Sequence, residues 1–210
     1  ETLCEAELAA RDSRRMQRYT HAAKLPSGKS LATFKFASAK SINQAQIKAL
    51  VESSAWVKEA ENIVIFGPSG VGKTHLAAAL GYAMITHGIR VLFAQATTLV
   101  QKLQLAKKEY RLEEALEKLS YYQLLILDDL GYVKKDEQES SVLFELIADR
   151  YESGSIIITA NQPFSEWDQI FPNNMMAVAA IDRLVHHSTI ITINEESYRR
   201  IQAGKKSTNK

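Results

Sequence analysis

From residue 62 to residue 193 short apolar runs alternate with longer amphipathic stretches. The runs "NIVIF", "LLIL" and "SIIIT" are almost purely aliphatic and four or five residues long. Strands buried on both faces read this way, whereas a half-exposed strand alternates apolar with polar. The pattern predicts strands near 62–66, 90–94, 123–128, 155–160 and 188–193. Between them, spacing close to 3.6 residues predicts helices near 73–86, 97–119 (in one piece or two), 136–152 and 175–187. Regular alternation of strand and helix implies an α/β fold with a five-stranded parallel sheet covered on both faces. Ligands of such sheets bind beyond the carboxyl ends of the strands, so the chemistry is expected just after each apolar run.

Upstream the pattern changes. Residues 1–24 read as a helix with Arg11, Arg14, Arg15 and Arg18 on one stripe. Pro26 and Gly28 in "LPSGKS" break it. "SLATFKFASAKS" is then a linker or docking segment, and a short helix around 43–59 shows Ile47, Leu50 and Val51 on one side. Three segments follow: a basic helical extension and linker at 1–42, a nucleotide-binding domain at 43–200, and a basic, disordered tail at 201–210.

The strand ends carry unusual residues. "GPSGVGKT" has Gly67, Gly72, Lys73 and Thr74 at P-loop spacing, after an apolar strand and at the start of an alanine-rich helix. Backbone N–H groups from Gly67, Pro68, Ser69, Gly70, Val71, Gly72, Lys73, Thr74 and His75 (Pro68 excepted, having none) can wrap a phosphate, helped by the helix dipole. Lys73 would reach the β- and γ-phosphates of ATP, and the Thr74 hydroxyl would ligate Mg²⁺. "YYQLLILDDLGY" ends a strand in two carboxylates. Asp128 is placed to hold Mg²⁺ as a Walker B aspartate does, and Asp129 to act on the attacking water as general base or orienter. Most relatives with this arrangement carry Glu second, so Asp129 is a departure, one methylene shorter. "SIIITAN" puts Thr159 and Asn161 at a third strand tip, and an additional strand between the P-loop and Walker B strands is the motor-like arrangement.

Composition adjusts this reading rather than making it. The 210 residues are 46% hydrophobic and 24% charged, ordinary for a globular protein. No apolar run approaches the roughly 18 residues that cross a bilayer. The lone Cys4 forms no internal disulfide, which points to the cytoplasm. Net charge is only +2, but it is uneven. From Arg11 to Lys40 Asp12 is the only acid, and the tail after Ser197 has none. Basic extremities on a near-neutral body suit a polyanion. Lys107, Lys108 and Arg111 in "KKEYR" form a second basic patch, and Lys134 and Lys135 a third that reads as a solvated loop. His186 and His187 are expected to point apart at a helix end rather than to bind metal. Phe34 and Phe36 fit, preferably, a hydrophobic plug.

Together "GPSGVGKTHLAAAL", "LLILDDLGY", "SIIITANQPFSEW" and "AAIDRLVHHSTIITINEESYRR" resemble the IstB family of AAA+ ATPases, transposition helpers related to the helicase loader DnaC. The likeness runs from about Glu7 to Arg200, and the lead-in suggests a further piece upstream of Glu1. It implies an ATP-dependent oligomer with nucleotide between subunits, and Arg183 in "IDRL" as an arginine finger given to a neighbour. It also implies weakly sequence-selective binding of duplex DNA and recruitment of a transposase. For Phe34 and Phe36 it implies a position near adenine, as against the plug. Tyr198 and Arg199 match the family's SYR, with no role assigned. A helicase loader, a small-molecule kinase and a non-hydrolysing switch are the alternatives. Against the kinase, only Arg90, Arg111 and Arg150 lie between Thr74 and Asn161.

Overall fold

The structure, a computed structural model, describes residues 2–131, 137–169, 174–195 and 197–198. Five strands form one parallel sheet: β1 (Asn62–Phe66), β2 (Val91–Gln95), β3 (Leu124–Leu130), β4 (Ser155–Ala160) and β5 (Ser188–Thr192), in the spatial order β2-β3-β4-β1-β5. The chain therefore leaves β1 for one edge of the sheet and returns through β3, so that β4 slots between the P-loop strand and the Walker B strand. This is the predicted motor-like arrangement.

Alternate side chains of each strand enter different cores. Ile63, Ile65, Leu124, Ile126 and Ile157 face one layer, whereas Val64, Phe66, Leu125, Leu127, Ile156 and Ile158 face the other. Each such side chain contributes about 1.5–3 kcal/mol when fully buried. The first layer holds α2 (Gln44–Glu52), α3 (Ala55–Lys58) and α4 (Lys73–Thr86). The second holds α5 (Ala96–Lys108), α6 (Leu112–Ser120), α7 (Glu137–Arg150) and α8 (Asn174–Val185). Helix α4 comes close to the sheet at Gly81, where the lack of a side chain admits its neighbours. A Cβ on Gly81 would come within 2.8 Å of Ile126 and 2.9 Å of Leu25.

The predicted elements are present, with three refinements. The 43–59 helix divides into α2 and α3, where Ser53 takes an extended backbone and caps Ala55. The 97–119 helix is two helices, parted at Tyr110 with its left-handed φ of 56°. The segment after α1 (Thr2–Ala23) is folded rather than a loose tether. It contains 3-10 turns at Leu31–Thr33 and Phe36–Ser38, and Phe34, Ala39 and Ile42 are buried in the first core layer. Helix α1 itself anchors only through its C-terminal end, with Ala23 buried and Tyr19 partly so, while residues 4–18 are exposed. Among the described residues no helix is long and apolar enough to cross a membrane.

One buried arginine fastens the amino ends of the strands. Arg150, 3% exposed, donates to the carbonyls of Leu119, Tyr122, Gln123 and Ser155 at 3.0–3.3 Å. Burial pulls its pKa down to about 10, with Asp149 opposing, so it remains cationic at neutral pH. Gly154 makes room for it, since a Cβ there would meet the guanidinium at 2.5 Å. Arg150→Met is expected to lower stability by about 3 kcal/mol or more, because buried carbonyls lose their donors. A urea-unfolding midpoint unchanged by that substitution would refute the clamp.

Candidate nucleotide site

The site forms where β1, β3 and β4 end side by side. Gly67 leaves β1 with φ 150°, and a Cβ on it would sit 2.3 Å from the Ile193 carbonyl oxygen. The loop then turns through Gly70 and Gly72, both left-handed, into α4. Lys73 is 5% exposed, and its ammonium donates to the carbonyls of Gly67 at 2.8 Å and Pro68 at 2.9 Å. It also donates to Asn161 Oδ1 at 2.6 Å. The P-loop lysine and Asn161, just past the end of β4, are thus in direct contact.

Asp128 closes the continuous buried run Leu124–Asp128 of β3, at 5% exposure. Thr74 Oγ1 donates to its Oδ2 at 3.1 Å, and Thr159 Oγ1 donates to its Oδ1 at 2.7 Å. Burial pushes the carboxyl above the ordinary carboxylate range. Hydrogen bonds from Thr159 and Thr74 pull it back, the neighbouring Asp129 pushes it up, and the charge of Lys29 pulls it down. Thr159 is fully buried, and its hydroxyl also accepts from the Asp129 N–H at 2.9 Å. A single hydroxyl therefore sets the rotamer of one acid and the backbone of the next. Sequence reading placed Thr159 at the strand tip without seeing this, because the link crosses strands.

Asp129 itself is exposed, with a left-handed φ of 59°. Asp tolerates that region far better than most non-glycine residues. The shorter acid at this position therefore has a backbone reason, which the sequence alone does not show. Thr74 and Asp128 offer a hydroxyl and a carboxylate oxygen already in contact. Among the described residues no group of three or more His, Cys, Asp or Glu could hold a metal. Two hard oxygens with the rest left to phosphate and water is how Mg²⁺ is commonly held, so the residues fit that ion.

Beside the P-loop lies a cavity of about 270 Å³. Its walls include Gly70, Gly72 and Thr74, Asp129, the lead-in residues Lys29, Phe34 and Ala39, and Tyr198. Phe34 is both plug and wall: it is 8% exposed in the core, and its ring lies 3.2 Å from where a Gly72 Cβ would be. The chain after β5 closes back on this region. The Tyr198 N–H donates to Gly70 O at 3.1 Å, and Lys35 Nζ sits 5.4 Å from the Tyr198 ring centre. Glu195 accepts from the Ser41 N–H and hydroxyl at 2.5 and 2.8 Å. Desolvation raises the Glu195 pKa, but these bonds and its neighbouring amides outweigh it and leave the carboxyl lowered. His75 turns toward the lead-in, with Nε2 3.0 Å from Ser30 O and 3.1 Å from Thr33 Oγ1.

The other candidates lie apart. Arg183 on α8 sits with its guanidinium carbon 5.0 Å from the Phe144 ring centre and donates to Ala179 O at 3.4 Å. It does not line the cavity. Arg11 and Arg14 share Glu7 at 2.8 and 3.4 Å, and Arg15 pairs with Asp12 at 3.0 Å. Arg18 is exposed. Lys107 binds Glu145 at 2.6 Å and Ser141 at 2.9 Å, Arg111 pairs with Glu109, and Lys108 is exposed. Tyr110, among these cations, is 98% exposed and was not singled out by sequence. His186 and His187 do not point apart: a turn follows α8, and the rings meet at 4.2 Å with Tyr151 OH 3.2 Å from His186 Nδ1. Lys134, Lys135, Arg199 and the 201–210 tail lie outside the described residues.

A parallel sheet in this order, with a P-loop on β1 and paired acids on β3, defines a AAA+ P-loop NTPase. Comparison with known proteins narrows the class. The profile of the IstB-like ATP binding protein family matches residues 1–207, and the chain belongs to that family. It is 54% identical over 201 residues to an insertion sequence ATP-binding protein of Sinorhizobium fredii, covering 96% of this chain and 67% of the relative. Among solved structures it resembles AMPPCP-bound DnaA from Aquifex aeolicus, with TM-score 0.67, 20% identity, 89% of this chain and 56% of that one. It also resembles DnaI, with TM-score 0.64, 20% identity, 81% of this chain and 95% of that one. At such identities the structural likeness is one of fold. Family membership makes this an ATP-binding protein.

Thr159→Val removes the bond that lowers the Asp128 pKa, so that pKa should rise further. Mg²⁺-dependent ATP binding is then expected to fail at a higher pH than in the unaltered chain, while Thr159→Ser keeps the original profile. Identical acid limbs for all three, measured by fluorescent-nucleotide titration, would reduce Thr159 to a packing residue.

Proposed function

We propose that this chain is a Mg²⁺-dependent ATPase whose nucleotide state governs its assembly on duplex DNA in the service of a transposase. The observation that carries the reading is two polar networks side by side over three strand tips, Lys73–Asn161 and Thr74–Asp128–Thr159–Asp129. They gather phosphate-binding, metal-holding and water-orienting groups in one place. The roles follow from position. P-loop amides and Lys73 take the phosphates, and Lys73 exchanges carbonyl partners for phosphate oxygens. Thr74 and Asp128 would hold Mg²⁺, which neutralises phosphate charge when bound. Asp129 and Asn161 flank the place where water attacks, Asp129 accepting or orienting its proton and Asn161 donating to oxygen.

Arg183 lies away from its own cavity, so it serves a neighbour's site rather than its own. Its stacking on Phe144 holds the guanidinium on the surface of α7 and α8, where a second copy can dock. DNA contact is assigned to the α1 arginines Arg11, Arg14, Arg15 and Arg18 and to Lys107, Lys108 and Arg111 at the α5–α6 bend. Exposed Tyr110 adds a stacking face there. Several of these cations hold only exposed pairs, worth little against a phosphate backbone. Within the 1–42 extension α1 faces DNA while the folded lead-in joins the motor of 43–200, and 201–210 acts as a basic tail, all within the cytoplasm. The insertion-sequence relatives favour transposition over helicase loading.

Arg183→Ala is expected to bind ATP normally and to hydrolyse it about 10³-fold more slowly or worse. Mixing it with an Asp129→Asn chain should restore some turnover, because one interface regains both groups. Failure of every mixing ratio to restore turnover would sink donation in trans.

A further inference from the structure

The turn that follows α1 is built more firmly than a connector needs to be. Gly28 takes a left-handed φ of 73°, and Thr33 Oγ1 donates to Gly28 O at 2.9 Å while accepting from the Ser30 N–H at 3.1 Å. His75, on the first turn of α4, contacts both Ser30 O and Thr33 Oγ1. Phe34 packs against Gly72 and edge-on to His75, with ring centres 5.3 Å apart. Residues 28–34 are therefore fastened to residues 72–75, the part of the P-loop that turns into the helix. What this fastening presents is Lys29, half-buried, in the wall of the cavity with Lys73, Thr74 and Asp129. It shares that wall with Asp129, which follows Asp128 on β3 and puts Lys29 at the acidic side of the site. The wall carries Lys29, Lys35 and Lys73 against Asp129, a cationic lining that suits an anionic ligand, and of these Lys35 is turned onto the Tyr198 ring.

We propose that Lys29 is a phosphate-binding residue of the nucleotide site, supplied in cis from outside the P-loop, whose ammonium contacts the terminal phosphate of a nucleoside triphosphate. This rests on the nucleotide reading of the site and adds a consequence to it. The same turn continues α1, so loss of the terminal phosphate releases a contact on the segment that carries the arginine stripe. Triphosphate and diphosphate states then differ in how firmly the base of α1 is held.

The test compares the affinities of a non-hydrolysable ATP analogue and of ADP, each with Mg²⁺, for the unaltered chain, Lys29→Met, Lys29→Arg and Lys73→Ala. Lys29→Met is expected to weaken the triphosphate about tenfold, as loss of one charge-assisted bond does, with ADP changed about twofold or less. Lys29→Arg should retain most of the preference, and His75→Ala, which frees the turn but keeps the charge, should lose part of it. Equal losses for both nucleotides, or none for either, in Lys29→Met overturn the inference. The nucleotide reading is judged separately by Lys73→Ala, expected to lose both ligands. If the unaltered chain binds neither ligand, both readings fall.

Discussion

Everything at the nucleotide site depends on a carboxylate kept almost out of water. Asp128 ends four consecutive buried aliphatic residues, and an ionised acid there is tolerable only because two threonine hydroxyls donate to it. One hydroxyl comes from the first turn of α4 and the other from β4. Satisfying this one acid therefore fixes P-loop helix, Walker B strand and the intervening strand relative to each other. Lys73 repeats the device with opposite sign, held by two loop carbonyls and by Asn161. The sheet supplies the rigidity and the polar bonds supply the register.

Much of this is legible along the chain. Strands buried on both faces must be continuously apolar, so "NIVIF", "LLIL" and "SIIIT" announce themselves. A P-loop needs its glycines, lysine and threonine at fixed spacing, and that spacing is local. What is not legible is whatever joins residues far apart. Nothing near Thr33 tells that it meets His75, nor near Ser41 that it meets Glu195, so the lead-in reads as either a linker or a docking segment, and it is the docked one. The left-handed backbone of Asp129 is equally hidden, because its hydrogen-bond partner, the Thr159 hydroxyl, lies 30 residues downstream. The histidine pair reads as divergent only under the assumption that α8 continues through it. In the structure the helix ends at Val185, and a turn lets the rings meet.

The basic surfaces show a similar limit. Charge counting marks α1 and the α5–α6 bend, and the structure adds that many of the cations there already have carboxylate neighbours. Such exposed pairs break at little expense, so a polyanion competes with them on nearly equal terms. The resulting binding would be strongly dependent on salt and indifferent to sequence. Helix α1 is buried against the body at Tyr19 and Ala23, next to the turn that enters the nucleotide cavity. Occupancy of the cavity and placement of the arginine stripe are thus physically adjacent.

The central claim is that the terminal phosphate of ATP decides whether copies of this chain gather on duplex DNA. The direct measurement is particle mass in solution with duplex DNA, taken once with a non-hydrolysable ATP analogue and Mg²⁺ and once with ADP and Mg²⁺. The account predicts assemblies of several chains on DNA in the first condition and dispersal in the second. The same mass in both would contradict it.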